Sequence, residues 1–134
     1  MKYLMVLPLA LACGLAAAET PQQLIDTYTT KAAAGTIGFR ASAQRGGEFF
    51  TKKFGVSEKM PACAACHTDN PTHIGRHAVT GKEIKPLAPV ANAERFTNPA
   101  KVEKWFRRNC KEVVGRECTP AEKADVIQYL AGVR

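Results

Sequence analysis

Cysteine and histidine stand together at one point of this 134-residue chain, in the run Cys63-Ala64-Ala65-Cys66-His67. Two thiols at this spacing lie on one helical turn and can add to the two vinyl groups of a haem, while the imidazole that follows reaches the iron from the same side. The run therefore predicts one covalently attached haem c, with thioether links from Cys63 and Cys66 and with His67 as the proximal iron ligand.

Two other kinds of site also use a Cys-x-x-Cys pair. A thioredoxin-like redox pair requires a surrounding βαβ pattern, but residues 58–61 and 68–71 have the composition of turns and loops. A structural zinc site requires a second close pair of ligands, and Cys110 and Cys118 do not form a second Cys-x-x-Cys. Both alternatives are weaker than haem attachment.

The residue on the opposite face of the iron decides between a plain electron carrier and a protein that binds gases. Cytochromes c commonly place a methionine downstream of the motif, but Met1, Met5 and Met60 all precede it. A Met ligand in that chain order is therefore excluded. His73 and His77 follow the motif within ten residues, in a segment that has to leave the proximal side. We expect both to be solvated loop side chains.

Asn109 is the last residue of an otherwise apolar stripe on the helix that we predict to begin at Asn98-Pro99. Burying the side chain of Asn109 without a partner would cost about 1–3 kcal/mol, and a bond from its oxygen to iron would remove that cost. Two other roles stay open from the residues alone, a helix C-cap and a hydrogen bond to backbone carbonyls. The stripe consists of Val102, Trp105, Phe106 and Asn109, and we expect Trp105 to pack in the core.

The first residues have the pattern of a cleavable export signal. Lys2 precedes an apolar run over 4–11, and an Ala-x-Ala cleavage site ends at Ala18. The apolar run is too short to span a bilayer. This predicts a signal peptide over 1–18, one domain over 19–134, and a periplasmic protein without stable membrane insertion.

Four cysteines follow this leader, and in an exported protein they would form two disulfides by default. The haem motif uses the first pair, which leaves Cys110 and Cys118. A disulfide between them would close a loop over 111–117 and tether the end of the preceding helix, as a staple, as a source of strain at the ligand, or as both. Lipid anchoring through Cys13 is disfavoured, since Ala10 stands where such signals usually have Leu.

The chain is basic, with 19 Lys and Arg residues against 12 Asp and Glu residues. Its net charge of +7 favours an acidic protein partner or an anionic surface. Nucleic acid is disfavoured, because export and a haem account for the chain and its few aromatic residues are needed in the interior.

Helix-start signals and apolar spacing predict an all-α domain without strands. A capping Thr followed by Pro opens both terminal helices, and Gly46-Gly47 in the second helix indicates a close crossing with another element. The proline-containing segment 68–97 shows little periodicity, and we expect it to wrap the haem as a long loop. The predicted helices cover about 20–34, 42–54, 98–110 and 119–132.

Several segments together resemble a known family. They are the haem motif with Thr68, the run 79–84, Leu87-Ala88-Pro89, Arg95-Phe96-Thr97, and Asn109-Cys110 followed by Cys118. These segments are similar to SHP, the high-spin monohaem cytochromes c, which are relatives of class I cytochromes c and of cytochrome c''. The resemblance implies a small class I cytochrome c-like helical fold around one haem c, with an extra N-terminal helix.

The resemblance also implies a ligand set. In SHP proteins the ferric iron is held by the motif histidine and by an asparagine that precedes a disulfide cysteine; here these are His67 and Asn109, with the disulfide Cys110–Cys118. Cytochrome c'' has a histidine at the second position, so Asn109 favours the SHP branch. In that family the asparagine leaves on reduction, and the ferrous iron then binds O2, NO or CO.

We therefore expect a periplasmic one-electron carrier with an open ferrous site, and not an enzyme. The resemblance implies a dihaem cytochrome c, or another acidic redox protein, as the partner. Two alternative functions stay open. One is a protein that mainly binds diatomic gases or metabolises O2 or NO, and the other is a plain low-spin electron carrier.

Overall fold

The computed structural model describes residues 18–134, which form five α-helices and one pair of two-residue strands. The predicted signal peptide, apart from Ala18, and Cys13 lie outside these residues. None of the helices within 18–134 combines the length and the apolar character needed to cross a membrane. The helices are α1 (Pro21–Ala33), α2 (Ala43–Thr51), α3 (Ala64–His67), α4 (Pro99–Val113) and α5 (Pro120–Gly132), and the strands are β1 (Gly75–Arg76) and β2 (Glu83–Ile84).

The predicted helix starts are confirmed, because each one depends on a side-chain cap that is local in sequence. Thr20 and Thr119 each form a capping box with the residue three positions later and are followed by Pro at the first helical position. At the start of α4 the Asn98 side chain accepts a hydrogen bond from the backbone N–H of Lys101 at 2.9 Å.

Two predicted helix ends are wrong. Helix α2 ends at Thr51, and the backbone N–H of Phe54 instead donates to the carbonyl of Pro61 at 2.9 Å. Helix α4 does not end at Cys110 but continues for another turn, because Val113 is buried in the interior. The chain leaves this helix at Gly115, whose φ of +80° is the left-handed conformation that glycine adopts after a helix C-terminus.

The prediction of no strand is also wrong. Strands β1 and β2 pair antiparallel, with Gly75 opposite Ile84 and Arg76 opposite Glu83. Two residues a strand give no alternation that a sequence pattern could reveal. The rest of 68–97 is irregular, as predicted, so the fold is mostly helical.

Helices α1, α2 and α5 form the frame of the domain, and the core lies between them. The glycine pair in α2 makes the predicted crossing, since a Cβ at Gly46 would overlap the backbone carbonyl of Asp125 in α5, and the Tyr129 ring lies 3.2 Å from a Cβ built at Gly47. The buried core cluster consists of Leu24, Ile25, Tyr28, Phe50, Phe96, Ala124, Val126, Ile127 and Leu130.

Helix α4 is held to this frame by one inward face. The ring of Phe106 packs edge-on against Tyr28, with 6.1 Å between the ring centroids. Glu103 accepts hydrogen bonds from the Tyr28 hydroxyl at 2.8 Å and from the Lys123 ammonium at 2.7 Å. We refer to Tyr28, Glu103 and Lys123 as the Glu103 network; it joins α1, α4 and α5.

Candidate haem site

The haem motif lies on α3 and on the residue just before it. Cys63 occupies the N-cap position, and Cys66 and His67 lie in the helix. Both cysteines are free and half-buried. The backbone N–H of Ala78 donates to the sulfur of Cys66 at 3.3 Å, and a Cβ at Gly75 would overlap the carbonyl oxygen of Cys66. The chain after the motif therefore returns and lies directly against it.

Cys63 does not have the lowered thiol pKa of a redox-active cysteine. Burial, with a smaller contribution from Cys66, raises the pKa of the Cys63 thiol to about 11. A thioredoxin-like motif instead requires a lowered thiol pKa, because the thiolate is the reactive species. The raised pKa argues against that alternative and fits thiols that serve as attachment points.

The imidazole of His67 is neutral at physiological pH. Burial, and next the positive charge of Arg95, lower the pKa of His67 to about 4. The ring of Phe50 packs beside it, with 6.3 Å between the ring centroids. Thr68, directly after it, has a φ of +63°, a conformation that is rare for residues other than glycine and that turns the chain sharply away from α3. A neutral, positioned imidazole is the form that binds a metal.

Asn109 lies inside α4, four residues before the helix ends at Val113. This position excludes the helix C-cap role. The Asn109 side chain is half-buried, and among residues 18–134 it forms no hydrogen bond, although neighbouring Arg108 pairs with Glu112 at 3.1 Å. A hydrogen bond to a backbone carbonyl, the other alternative, is therefore also absent from this part of the chain. The amide remains able to bind a further group.

The predicted disulfide is present between Cys110 and Cys118. Both residues are buried, and their Cα atoms lie 5.7 Å apart. Helix α4 continues to Val113, so Cys110 lies in its last turn. The disulfide joins this turn to Cys118, which directly precedes Thr119, the N-cap of α5. It therefore fixes the stretch of α4 next to Asn109.

The other two histidines make local contacts in the loop. His73 is exposed, and its Nε2 lies 3.3 Å from the side-chain nitrogen of Asn70. The Nδ1 atom of His77 accepts hydrogen bonds from the backbone N–H groups of Val79 and Thr80 at 3.2 and 3.3 Å. Both side chains thus have the loop role expected of them.

Zinc has no ligand cluster here, since residues 18–134 contain no group of three or more His, Cys, Asp or Glu side chains placed to hold a metal ion.

The expectation that Trp105 packs in the core is wrong. Its side chain is 42% exposed and stacks with the guanidinium of Arg108 at 5.7 Å from the ring centroid. Phe106, one residue on, faces the core instead.

The sequence did not predict one feature of the site and one feature of the helices around it. Arg95 affects the charge on His67 although the two are 28 positions apart, and the Glu103 network joins residues from three helices. A Glu, a Lys and a Tyr far apart in a sequence carry no signal that they will meet. Arg95 stands in a segment that resembles SHP, but nothing in the sequence places it near His67.

Comparison with known proteins places the chain in a family. A family model described as "Domain of unknown function (DUF1924)" matches residues 37–130. Cytochrome c'' from Methylophilus methylotrophus is 43% identical over 121 residues, which cover 89% of this chain and 84% of that protein. Cytochrome c-type protein SHP from Cereibacter sphaeroides is 47% identical over 119 residues, which cover 88% of each.

The chain belongs to the SHP and cytochrome c'' family. The structure of oxidised SHP, described as an oxygen-binding cytochrome c, has a TM-score of 0.77 at 45% identity and covers 85% of this chain and 97% of its own. The predicted family and the mostly helical fold class are thereby confirmed.

Haem c is the cofactor of the SHP and cytochrome c'' family, and the residues present in this chain fit it. Cys63 and Cys66 supply two free thiols next to His67, whose imidazole is neutral. The amide of Asn109 adds an oxygen donor without a hydrogen-bond partner in the described part of the chain. This set contains two residues that would attach one c-type haem and two candidate iron ligands.

Proposed function

We propose that this protein is a periplasmic monohaem cytochrome c that carries one electron and has a weak asparagine ligand. Cys63 and Cys66 would form the thioether links, and His67 and Asn109 would bind the iron in the ferric state. The bound haem supplies reversible one-electron chemistry and, in the ferrous state, a site for a diatomic gas. The observation that carries the proposal is a neutral His67 directly after two free, half-buried thiols in a chain of this family.

Asn109 makes the ferrous site accessible in this proposal. An amide oxygen is a hard, neutral and weak donor, which suits ferric iron better than ferrous iron. Asn109 would therefore hold ferrous iron less firmly than ferric iron and could leave it. The amide N–H of Asn109 would then be available to donate a hydrogen bond to a diatomic ligand. The half-burial of Asn109 inside α4 and the oxygen binding for which the SHP relative is described both support this role.

We further propose an acidic redox protein, such as a dihaem cytochrome c, as the partner, and no enzymatic reaction. Helix α4 supports this choice, because the charged side chains on its outer surface are basic, except that of Glu112, which pairs with Arg108. Surface charge of one sign steers an oppositely charged protein to a transient complex. The exposed basic residues of α4 are Lys101, Lys104, Arg107, Arg108 and Lys111.

Substitution of Asn109 tests the proposed ligand set. In ferric Asn109→Ala we expect five-coordinate or water-ligated haem, and in ferric Asn109→His a low-spin spectrum, because imidazole is a stronger ligand than an amide. The measurement is the visible absorption and electron paramagnetic resonance spectrum of each purified haem protein.

Arg108→Ala is the matched control, since it shortens the adjacent and exposed side chain on the same helical turn. Its ferric spectrum should equal that of the wild type. A ferric spectrum that stays unchanged in both Asn109 variants would show that another residue binds the iron.

A further inference from the structure

Arg95 lies in the second half of the loop 68–97, and its guanidinium is fixed by the loop itself. Its Nε–H donates to the carbonyl of Pro86 at 2.8 Å, and its Nη2 donates to the carbonyl of Lys85 at 2.6 Å. Asn92 supports the same carbonyl of Pro86 with a hydrogen bond of 3.3 Å. The two hydrogen bonds fix the orientation of the guanidinium, and among the described residues its Nη1 donates to no acceptor.

The positive charge of Arg95 has no ion-pair partner among residues 18–134. The adjacent Glu94 is exposed and forms no salt bridge with it; burial lowers the pKa of Arg95, and the negative charge of Glu94 offsets only part of this effect. The other arginines that donate to a backbone carbonyl either pair with an acid, as Arg45 does with Asp125 at 2.8 Å, or are exposed, as Arg76 is. A half-buried guanidinium without a counter-charge is costly, because arginine does not lose its proton.

The backbone directly after Arg95 has a conformation that residues other than glycine rarely adopt. Phe96, the next residue, has a φ of +61° and is only 8% exposed, which is a marked outlier for a bulky side chain. Such a conformation costs about 1–3 kcal/mol and persists where the surrounding structure requires it. Within 18–134 the only other residue besides glycine with a positive φ is Thr68, directly after His67. The two strained positions thus follow Arg95 and the candidate proximal ligand.

We propose that Arg95 binds a carboxylate of the haem, one of its two propionate groups, through the donors that the loop leaves free. This inference rests on the proposed function only in that the haem is attached at Cys63 and Cys66. Phe96, the residue after Arg95, belongs to the buried cluster against which Cys63 packs, and Phe50 of the same cluster lies beside His67 with 6.3 Å between the ring centroids, so Arg95 stands next to the part of the core that borders the haem motif. A haem carries two propionate carboxylates, and a guanidinium binds a carboxylate with two parallel hydrogen bonds.

The role predicts a specific electrostatic effect. With Arg95 in place the propionate charge is compensated, whereas without Arg95 a negative charge stands uncompensated near the iron and stabilises the ferric state. Replacing Arg95 with a neutral residue should therefore lower the reduction potential. We expect the equilibrium constant for reduction to fall about tenfold in Arg95→Gln, which is about 59 mV for a one-electron couple.

The test compares holoproteins with Arg95→Gln, Arg95→Lys and the control Arg76→Gln. Arg76 is also a loop arginine that donates to a backbone carbonyl, that of Gly81 at 2.8 Å, but it is exposed. The measurements are the midpoint potential, the propionate bending band in the resonance Raman spectrum, and the denaturant midpoint. We expect the potential to fall in Arg95→Gln, to stay near the wild-type value in Arg95→Lys, and to be unaffected in Arg76→Gln. The propionate band should shift in both Arg95 variants, because neither offers a planar guanidinium.

Three results would overturn the proposal. A potential and a propionate band that are unchanged in Arg95→Gln would show that the guanidinium does not reach the haem carboxylate. Equal falls of the potential in the Lys and Gln variants, with a lowered denaturant midpoint and an unchanged band, would assign Arg95 to the support of the loop alone. A wild-type potential that changes between chloride and phosphate at equal ionic strength, with this change lost in Arg95→Gln and the band unaltered, would identify a solvent anion as the occupant.

These readouts do not depend on Asn109. If the reduced wild-type protein fails to bind CO, the proposed gas-binding function is wrong, while the propionate band and the potential of the Arg95 variants still decide this inference.

Discussion

At the scale of single residues, Gly75 allows the chain to pack directly against the haem motif. Gly75 begins β1, and a Cβ at this position would overlap the carbonyl oxygen of Cys66 and lie 3.1 Å from the Cα of His67. Both obstacles belong to backbone atoms, which cannot rotate away as a flexible side chain can. The close packing of β1 against α3 therefore depends on glycine.

Gly75→Ala should destabilise the protein by about 1–3 kcal/mol, because β1 has to move away from α3. Urea unfolding of the holoprotein measures this change. Gly132→Ala is the control, since Gly132 lies in the last turn of α5 with no heavy atom within 4 Å of an added Cβ. An equal or smaller loss in Gly75→Ala than in this control would refute the close approach.

How far a single residue could be predicted depends on how far away its partners lie in the sequence. Cys63, Cys66 and His67 lie within five consecutive residues, so the haem attachment that we propose for them could be predicted without the fold. The geometry of Arg95 depends on carbonyls 9 and 10 positions earlier in a loop without periodicity, and its effect on His67 depends on how that loop folds back. No local pattern contains that information.

At the scale of secondary structure elements, the Glu103 network is the polar connection that joins α4 to α1 and α5. The Lys123 side chain is only 11% exposed and lies over the ring of Tyr28 at 5.5 Å from its centroid. Burial alone would raise the pKa of Glu103, but the hydrogen bonds from Lys123 and Tyr28 outweigh burial and hold the pKa below its usual range. The charged carboxylate is thus the form that the fold stabilises.

This lowered pKa predicts how the stability depends on pH. The stabilisation by Glu103 is present above the pKa of an unfolded glutamate, about 4.3, and is lost as the pH falls through the lower pKa of the folded state. Comparing the free energy of unfolding of the wild type and Glu103→Gln, we expect a wild-type advantage at pH 7 that shrinks below pH of about 4. A difference that is constant from pH 7 to pH 3 would contradict this account. Glu83→Gln, at an exposed position in β2, is the control.

The helices illustrate which part of an element a sequence specifies. The starts of α1, α4 and α5 were predicted, because a cap side chain bonds to a backbone N–H three residues away. The ends of α2 and α4 were not predicted, because they depend on packing. Helix α4 was expected to end at the disulfide residue Cys110, but it ends just before the turn at Gly115. The two-residue strands form through pairing across 75–84, which leaves no local signal.

At the scale of the whole molecule, the net charge is +7, and the basic side chains behind it have different surroundings. Some cations are bound internally, as Lys123 is by Glu103, whereas the basic side chains of α4 are exposed beside Trp105. An exposed aromatic ring surrounded by cations is suited to a transient contact with an acidic protein. This surface lies on the same helix as Asn109.

Electron exchange with an acidic dihaem cytochrome c should therefore be sensitive to salt and to charge on α4. We expect the second-order rate constant to fall as ionic strength rises, and to fall by about three- to tenfold at low salt in Lys104→Glu. Lys53→Glu, an exposed position after α2, is the control with the same change in net charge. Stopped-flow absorbance measures the rates. Equal effects of both substitutions would show that total charge, and not the α4 surface, guides the encounter.

The central claim is that the Asn109 side chain binds the haem iron in the ferric state and dissociates from it when the iron is reduced. Its most direct test is the visible absorption spectrum of the wild-type haem protein, first oxidised, then reduced with dithionite, and then exposed to CO. The account predicts a broad, high-spin ferrous spectrum that shifts when CO is added. Sharp low-spin ferrous bands that do not respond to CO would contradict it, because they would require a strong ligand that stays bound after reduction.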